Sequence, residues 1–129
     1  MDAEGLMIGD FVKCSVDKAI YKVVAISKNY IQAIIKGGSE KETVLCHNTE
    51  PLPLTEDVLL ANGFRCLIEL REWYYRDENG KVVNFYLMDS FGGYSLKSNQ
   101  AVKIAYVHEL QHALRLCGLN RLADSFKVV

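Results

Sequence analysis

Residues 66–88 read CLIELREWYYRDENGKVVNFYLM. Within Cys66–Tyr75, Ile68 and Leu70 alternate with Glu69 and Arg71, and this period of two is typical of a β-strand. Asn79 and Gly80 form the pair preferred in a tight hairpin turn, because both residues tolerate a positive φ. The apolar run Val82–Met88 then predicts the returning strand. This stretch therefore predicts an antiparallel hairpin.

The sequence after this hairpin extends the sheet and then changes its period. Phe91-Gly92-Gly93-Tyr94 predicts a second turn, and Ala101–Tyr106 predicts a last strand, which gives a three- or four-stranded meander. A helix is predicted from about Val107 to Cys117, where Gly118 follows as a stop signal. Its predicted apolar stripe consists of Val107, Leu110, Leu114 and Cys117. We expect this helix to pack on one face of the meander.

The first fifty residues contain only short β-branched and apolar runs separated by turns. The predicted strands are Phe11–Cys14, Tyr21–Ile26, Tyr30–Ile35 and Thr43–Cys46. Several short strands with tight turns and no helix favour a small curled barrel. The opening Leu6–Val12, which contains Ile-Gly-Asp, resembles the first strand of SH3-like barrels.

A short segment separates the two β-rich parts. Pro51 and Pro53 predict an extended linker, because proline restricts both itself and its predecessor. Thr55 is the expected N-cap of a two-turn helix that Gly63 ends. The sequence thus predicts an α+β chain: an SH3-like β-barrel over 1–50, a linker and short helix over 51–64, and an antiparallel sheet with a C-terminal helix over 65–129.

The composition argues against a nucleic-acid-binding protein and against a membrane-spanning protein. The chain has 129 residues, half of them hydrophobic, and its formal net charge is -1. No basic excess points to nucleic acid, and no apolar run approaches the ~20 residues that span a bilayer. The four cysteines lie far apart without a C-x-x-C motif, which favours small buried thiols in a reduced, cytoplasmic protein.

Residues 108–112 read His-Glu-Leu-Gln-His and match the zinc motif H-E-x-x-H. On a helix this motif places two histidine ligands one turn apart beside a glutamate that activates water. A catalytic zinc needs a third protein ligand, and the sequence offers only His47 and Asp124. The sequence allows three interpretations: a zinc hydrolase using His108 and His112 with Glu109 as base, metal binding without catalysis, or a solvent-exposed helix face with no metal.

Trp73, Tyr74 and Tyr75 form an aromatic cluster at the hairpin. Such side chains are enriched at binding hot spots, so they are candidates for a partner surface. They equally fit cross-strand packing within a sheet. A weaker alternative is nucleic-acid binding through the lysines of the barrel, although acidic residues interleave with them.

Three stretches together resemble a known family: Leu6–Val12, Glu50–Glu56 and Tyr106–Gln111. It is an uncharacterised family of short proteins of gut-dwelling anaerobic bacteria, found among prophage and mobile-element genes. The resemblance implies a small intracellular accessory protein without a catalytic residue, and the family commonly has Asn where this chain has His112. We therefore expect a non-enzymatic interaction or adaptor module with a protein partner, no cofactor and no membrane contact. The alternatives are a zinc-dependent hydrolase and a nucleic-acid-binding barrel.

Overall fold

The computed structural model describes residues 6–15, 17–26, 31–35, 42–44, 49–77 and 79–128. The chain divides into two compact units, unit 1 over Met1–Leu52 and unit 2 over Pro53–Val129. Each unit contains a five-stranded antiparallel sheet, and unit 2 also contains three helices. The predicted α+β class is therefore confirmed.

Unit 1 is an antiparallel sheet with the order β4-β3-β2-β1-β5. Its strands are β1 (Phe11–Cys14), β2 (Ile20–Ile26), β3 (Ile31–Ile35), β4 (Glu42–Val44) and β5 (Thr49–Glu50). Among the described residues the outer strands β4 and β5 do not pair, so a closed barrel is not observed. The last predicted strand is confirmed only as far as Val44, since Leu45 and Cys46 lie outside the described residues.

The turn before β1 is fixed to the neighbouring strand. The carboxylate Oδ2 of Asp10 accepts a hydrogen bond from the Met7 amide at 2.8 Å, and Asp10 is fully buried. The Gly9 amide donates to the Val23 carbonyl at 2.8 Å, and the Val23 amide donates to the Asp10 carbonyl at 2.9 Å. The core beneath consists of Leu6, Val12, Cys14, Tyr21, Val23 and Ala33.

Unit 2 is a meander in which each strand pairs with its neighbours in sequence. Its strands are β6 (Phe64–Leu67), β7 (Glu72–Arg76), β8 (Val82–Ser90), β9 (Gly93–Leu96) and β10 (Lys103–Ile104). Its helices are α1 (Glu56–Ala61), α2 (Val107–Leu116) and α3 (Asn120–Asp124). The last strand is shorter than the predicted Ala101–Tyr106.

The prediction of one strand over Cys66–Tyr75 is wrong. The chain reverses between β6 and β7, where the Leu70 amide donates to the Leu67 carbonyl at 3.1 Å. Arg71 takes the left-handed conformation with φ 51°, which glycine or asparagine usually supplies. Apolar and polar residues keep alternating through this turn, so the sequence pattern contained no break.

The predicted helix ends are confirmed. Thr55 Oγ1 accepts from the Val58 amide at 3.3 Å at the start of α1. Gly63 and Gly118 take positive φ where α1 and α2 end. After α2 the Gly118 amide donates to the Arg115 carbonyl and the Leu119 amide to the Leu114 carbonyl, which is the Schellman pattern.

The apolar stripe of α2 is confirmed for three of its four members. Val107, Leu110 and Leu114 are buried, but Cys117 is exposed. Cys117 lies beyond Leu116 as the C-cap, where the backbone leaves the helical path. Cys14 is buried and Cys66 is half-buried, so the expectation of four buried thiols is wrong for Cys117. Cys46 lies outside the described residues.

Asn62 connects α1 to the end of unit 2. Its side-chain amide donates to the carbonyls of Val58 and Lys127, both at 2.7 Å. Its Oδ1 accepts from the Lys127 amide at 2.6 Å. The buried amide therefore pairs with both backbone groups of Lys127, as a neighbouring strand would. On either side of Lys127, the side chains of Phe126 and Val128 are buried.

We expect the raised pKa values of two tyrosines to lower the stability of the fold at alkaline pH. Burial raises the pKa of Tyr94 to about 12, and the hydrogen bond from the Tyr21 hydroxyl to Asp17 raises the pKa of Tyr21 to about 12. A folded-state pKa above the ordinary value of 10.0 gives stabilisation that is complete below pH 10 and is lost as the pH approaches 12. Between pH 10 and pH 12 we expect ionisation of Tyr94 to lower the free energy of unfolding of unit 2 by at most about 3 kcal/mol.

The measurement is urea unfolding at pH 8, 10 and 11, followed by tryptophan fluorescence. Trp73 is the single tryptophan, and its ring centroid lies 6.3 Å from that of Tyr94, so its signal reports on this part of unit 2. Tyr94→Phe should flatten the loss of stability above pH 10. Tyr106→Phe, at an exposed tyrosine of the same unit, is the matched control. An equal slope in both variants would contradict the prediction.

Candidate functional site

The first candidate is the zinc-like motif at the start of α2. Oε1 of Glu109 accepts hydrogen bonds from the amides of Ala105 and Tyr106, both at 3.0 Å. These amides would otherwise lack a helical partner, and a carboxylate there also favours the positive end of the helix dipole. Glu109 therefore serves as a helix cap, which accounts for the glutamate in the motif without zinc chemistry.

The two histidines of the motif have different surroundings. His108 is buried, and its ring stacks on Tyr106 at a centroid distance of 6.0 Å. His112 is half-buried and meets His108 edge-on, with ring centroids 5.6 Å apart. In the part of the chain that is described, no three His, Cys, Asp or Glu side chains form a metal-binding group. His47 lies outside that part, so the zinc alternative stays a prediction.

The predicted solvent-exposed polar face of α2 is wrong for two residues. His108 is only 8% exposed, and Gln111 is fully buried. The Gln111 Nε2 donates to the Ala123 carbonyl at 3.0 Å, which ties α2 to α3. The short helix α3 folds back and covers a face that the sequence pattern alone assigned to solvent. Asp124 on α3 lies 3.7 Å from Arg115 Nη2 on α2.

The aromatic cluster does not form one continuous surface. Trp73 is 3% exposed, its Nε1 donates to Asp89 Oδ1 at 3.1 Å, and its ring packs edge-on against Tyr94. Tyr74 and Tyr75 are half-buried, and the pairing register shifts between them. Tyr75 packs against Phe64 at a centroid distance of 5.5 Å. Trp73 therefore belongs to the interior of unit 2 and has almost no surface to offer a partner.

The lysines of unit 1 are only partly described. Lys13, Lys18 and Lys22 lie on or beside β1 and β2. Lys18 Nζ is 3.4 Å from Glu50 Oε1, so an acidic side chain offsets this charge. Lys28, Lys36 and Lys41 lie outside the described residues, and nucleic-acid binding through this unit stays a prediction.

One end of the unit 2 sheet exposes a group of large apolar side chains. We call it the turn-tip patch, and it consists of Leu67, Ile68, Leu70 and Phe91. Ile68 is 84% exposed, Leu70 62% and Phe91 fully. In a meander, the β6–β7 and β8–β9 turns fall at the same end of the sheet. The Asp89 amide donates to the Arg71 carbonyl at 3.0 Å, which joins the β6–β7 turn to the end of β8.

The opposite end of the same sheet has a cleft of about 840 Å³. We call it the cationic cleft, because Arg65, Arg76, Arg121 and Lys127 line it. Asp77 is the one acidic residue among its described lining. Its apolar lining includes the ring of Tyr75 and the side chains of Leu60, Val83, Leu119 and Leu122.

Sequence reasoning found neither of these two sites. Ile68 and Leu70 alternate with polar residues and so matched the buried face of a strand, whereas they lie in a turn. The cationic side chains of the cleft come from β6, β7, α3 and the segment after α3, and no local pattern connects them. Only an exposed apolar run inside a recognised turn would have indicated the turn-tip patch.

In the described part of the chain, no helix is both long and apolar enough to cross a bilayer. Comparison of the chain with protein-family models, with curated proteins and with solved structures gave no match.

Proposed function

We propose that the chain is a non-enzymatic protein-interaction module that binds a protein partner through the turn-tip patch. The observation that carries this proposal is the exposure of Ile68, Leu70 and Phe91 on two adjacent turns. Single exposed apolar residues are ordinary, but clustered large ones mark interaction surfaces. Burying one such side chain contributes about 1.5–3 kcal/mol, so three supply the core of a small interface.

The patch is held in place before any partner arrives. The Leu70 amide bonds to the Leu67 carbonyl at 3.1 Å and the Arg71 amide to the Ile68 carbonyl at 3.3 Å. The bond from Asp89 to Arg71 fixes this turn against the end of β8. A rigid surface loses little conformational entropy on binding, which favours affinity.

The charges around the patch favour a protein over a membrane or nucleic acid. Glu69 and Arg71 are exposed within the same turn and have opposite signs. Asp89 at the end of β8 adds a second acidic group. An anionic bilayer or a phosphate backbone would require a local basic excess. A mixed polar rim around an apolar centre is the usual composition of a protein interface.

Site-specific photocrosslinking in cells that naturally produce the chain tests this proposal. A benzoylphenylalanine at position 91 should crosslink one partner in stoichiometric yield, and the same group at position 116 should not. Leu116 is the matched control because it is 89% exposed and lies on α2, outside the patch. Equal crosslinking from both positions would contradict the proposal.

The identified partner then permits a direct affinity measurement. Ile68→Ser with Phe91→Ser should weaken binding at least tenfold, while Leu116→Ser leaves it unchanged. Both side chains project into solvent, so we expect unfolding free energies within about 0.5 kcal/mol of the parent. Unchanged affinity in the double variant would refute a role for the patch.

For unit 1, we propose an SH3-like barrel. The order β4-β3-β2-β1-β5 supports this, because β1 pairs with both β2 and β5. The long strand β2 also has a register irregularity between Val23 and Ala25, and such bulges bend a sheet so that it can curl. The family resemblance, with its prophage association, adds no activity and stays a prediction.

A further inference from the structure

We propose that the cationic cleft binds a mononucleotide, with its phosphates at the arginines and its base against Tyr75. The cleft lies at the end of the sheet opposite the turn-tip patch. This inference is therefore independent of the protein-interaction function, and a separate experiment tests it.

The charge of the cleft is the first argument. Four cationic side chains line it, although the whole chain has a formal net charge of -1. Among the described residues, no carboxylate forms an ion pair with any of the four. Asp77 contributes one negative charge, and its Oδ1 accepts from the amides of Asn79 at 3.0 Å and Lys81 at 2.9 Å. The described lining of the cleft therefore has four basic side chains against one acidic side chain.

Two of the arginine side chains, and the backbone of Lys127, make contacts within unit 2. Arg65 Nη1 donates to the Phe64 carbonyl at 2.8 Å, and the Arg76 guanidinium lies 5.4 Å from the centroid of the Tyr74 ring. The Arg76 amide donates to the carbonyl of Gly63, and both residues line the cleft. Asn62 fixes the backbone of Lys127. Arginine matches phosphate with two parallel hydrogen bonds, so an arginine-rich cleft suits phosphate groups.

The remaining lining suits a planar, partly apolar group. Tyr75 presents a half-buried ring, and Leu119 and Leu122 supply apolar surface. Gly63 keeps this space open, because a Cβ there would lie 3.2 Å from Cε1 of Tyr75. An aromatic ring can support a stacked base, a contact worth about 1–3 kcal/mol. A volume of about 840 Å³ is in the range of small-molecule sites.

The test is a titration of the full chain with adenosine diphosphate, followed by amide NMR and calorimetry. We expect saturable shifts at the amides of Gly63, Arg76 and Gly118. Adenosine alone and inorganic pyrophosphate should each bind at least tenfold more weakly than the nucleotide. Tyr75→Leu should weaken binding of adenosine diphosphate without changing binding of pyrophosphate, while Tyr75→Phe keeps both.

Charge variants distinguish binding in the cleft from a general electrostatic attraction of the nucleotide to unit 2. Arg65→Gln and Arg121→Gln should each lower the affinity for adenosine diphosphate at least tenfold. Lys103→Gln removes one exposed charge of the same unit outside the cleft and should leave affinity unchanged. Native amide spectra of every variant establish that it is folded.

Four outcomes would overturn the inference. They are no shifts at millimolar nucleotide, pyrophosphate binding as tightly as the nucleotide, equal loss of affinity in Lys103→Gln, and a single-stranded oligonucleotide binding far more tightly than the mononucleotide. The last outcome would assign the cleft to a nucleic-acid polymer.

Discussion

Replacing Trp73 with alanine is expected to lower the free energy of unfolding of unit 2 by about 3–5 kcal/mol. The side chain is 3% exposed, packs edge-on against Tyr94 and donates to Asp89 Oδ1 at 3.1 Å. Its removal leaves a cavity that the sheet cannot close, and it deprives Asp89 of a hydrogen-bond donor. Urea unfolding followed by far-UV circular dichroism measures the loss, because the variant has no tryptophan signal.

Two variants help interpret this result. Trp73→Phe keeps much of the ring volume but not the indole N–H, so we expect a smaller loss of about 1–2 kcal/mol. Leu116→Ala, at a fully exposed apolar position, should change stability by less than about 0.5 kcal/mol. If Trp73→Ala costs no more than Leu116→Ala, Trp73 is not part of the core. Because Trp73→Ala is expected to destabilise unit 2, a loss of binding in this variant would not identify a partner surface.

Substitution of Gly93 with alanine is expected to destabilise unit 2 by about 3 kcal/mol or more, through backbone overlap and conformational strain. A Cβ at this position would lie 2.7 Å from the Ile104 carbonyl oxygen and 3.0 Å from the Ala105 Cα. Both atoms belong to backbone, and Ile104 pairs with Tyr94 in the sheet. Relief of the overlap would require β9 and β10 to separate. The φ of 155° adds strain for any residue with a side chain.

Gly92 provides a matched control for Gly93. It is the adjacent glycine, with φ 79°, and a Cβ there would meet nothing within 4 Å. Gly92→Ala should therefore lower the free energy of unfolding only through the strain of its positive φ, by about 1 kcal/mol. The difference between the two melting or urea midpoints isolates the overlap with β10. Equal losses in both variants would show that φ alone sets the cost.

Local chemistry explains which parts of unit 2 were predictable. Thr55 as N-cap, the Asn-Gly turn after β7 and the Gly118 end of α2 each depend on a few consecutive residues, and all three were predicted. The reversal at Ile68–Arg71 was missed because it contains no glycine or proline, so the alternating pattern continued through it. Burial of Gln111 was missed because it depends on α3 folding back onto α2, which α2 alone does not encode.

The candidate sites were even less accessible from sequence. The zinc motif was visible, yet its glutamate caps a helix and its first histidine is buried. Trp73 matched a hot-spot residue by type, but its position in the sheet gives it almost no exposed surface. The cationic cleft combines side chains from distant segments whose approach depends on the Asn62 contact and on the turn after β7. Such a site follows from the complete fold only.

The pairing of Asn62 with Lys127 also determines when unit 2 is complete during synthesis on the ribosome. Domains fold as units while the chain emerges from its N-terminus. All the strands of unit 1 have emerged once Glu50 is out, whereas α1, at the start of unit 2, must wait for residue 127 before its last turn is covered. During that interval the Asn62 side chain lacks both of its bonds to Lys127, and the nascent segment is open to chaperones and proteases.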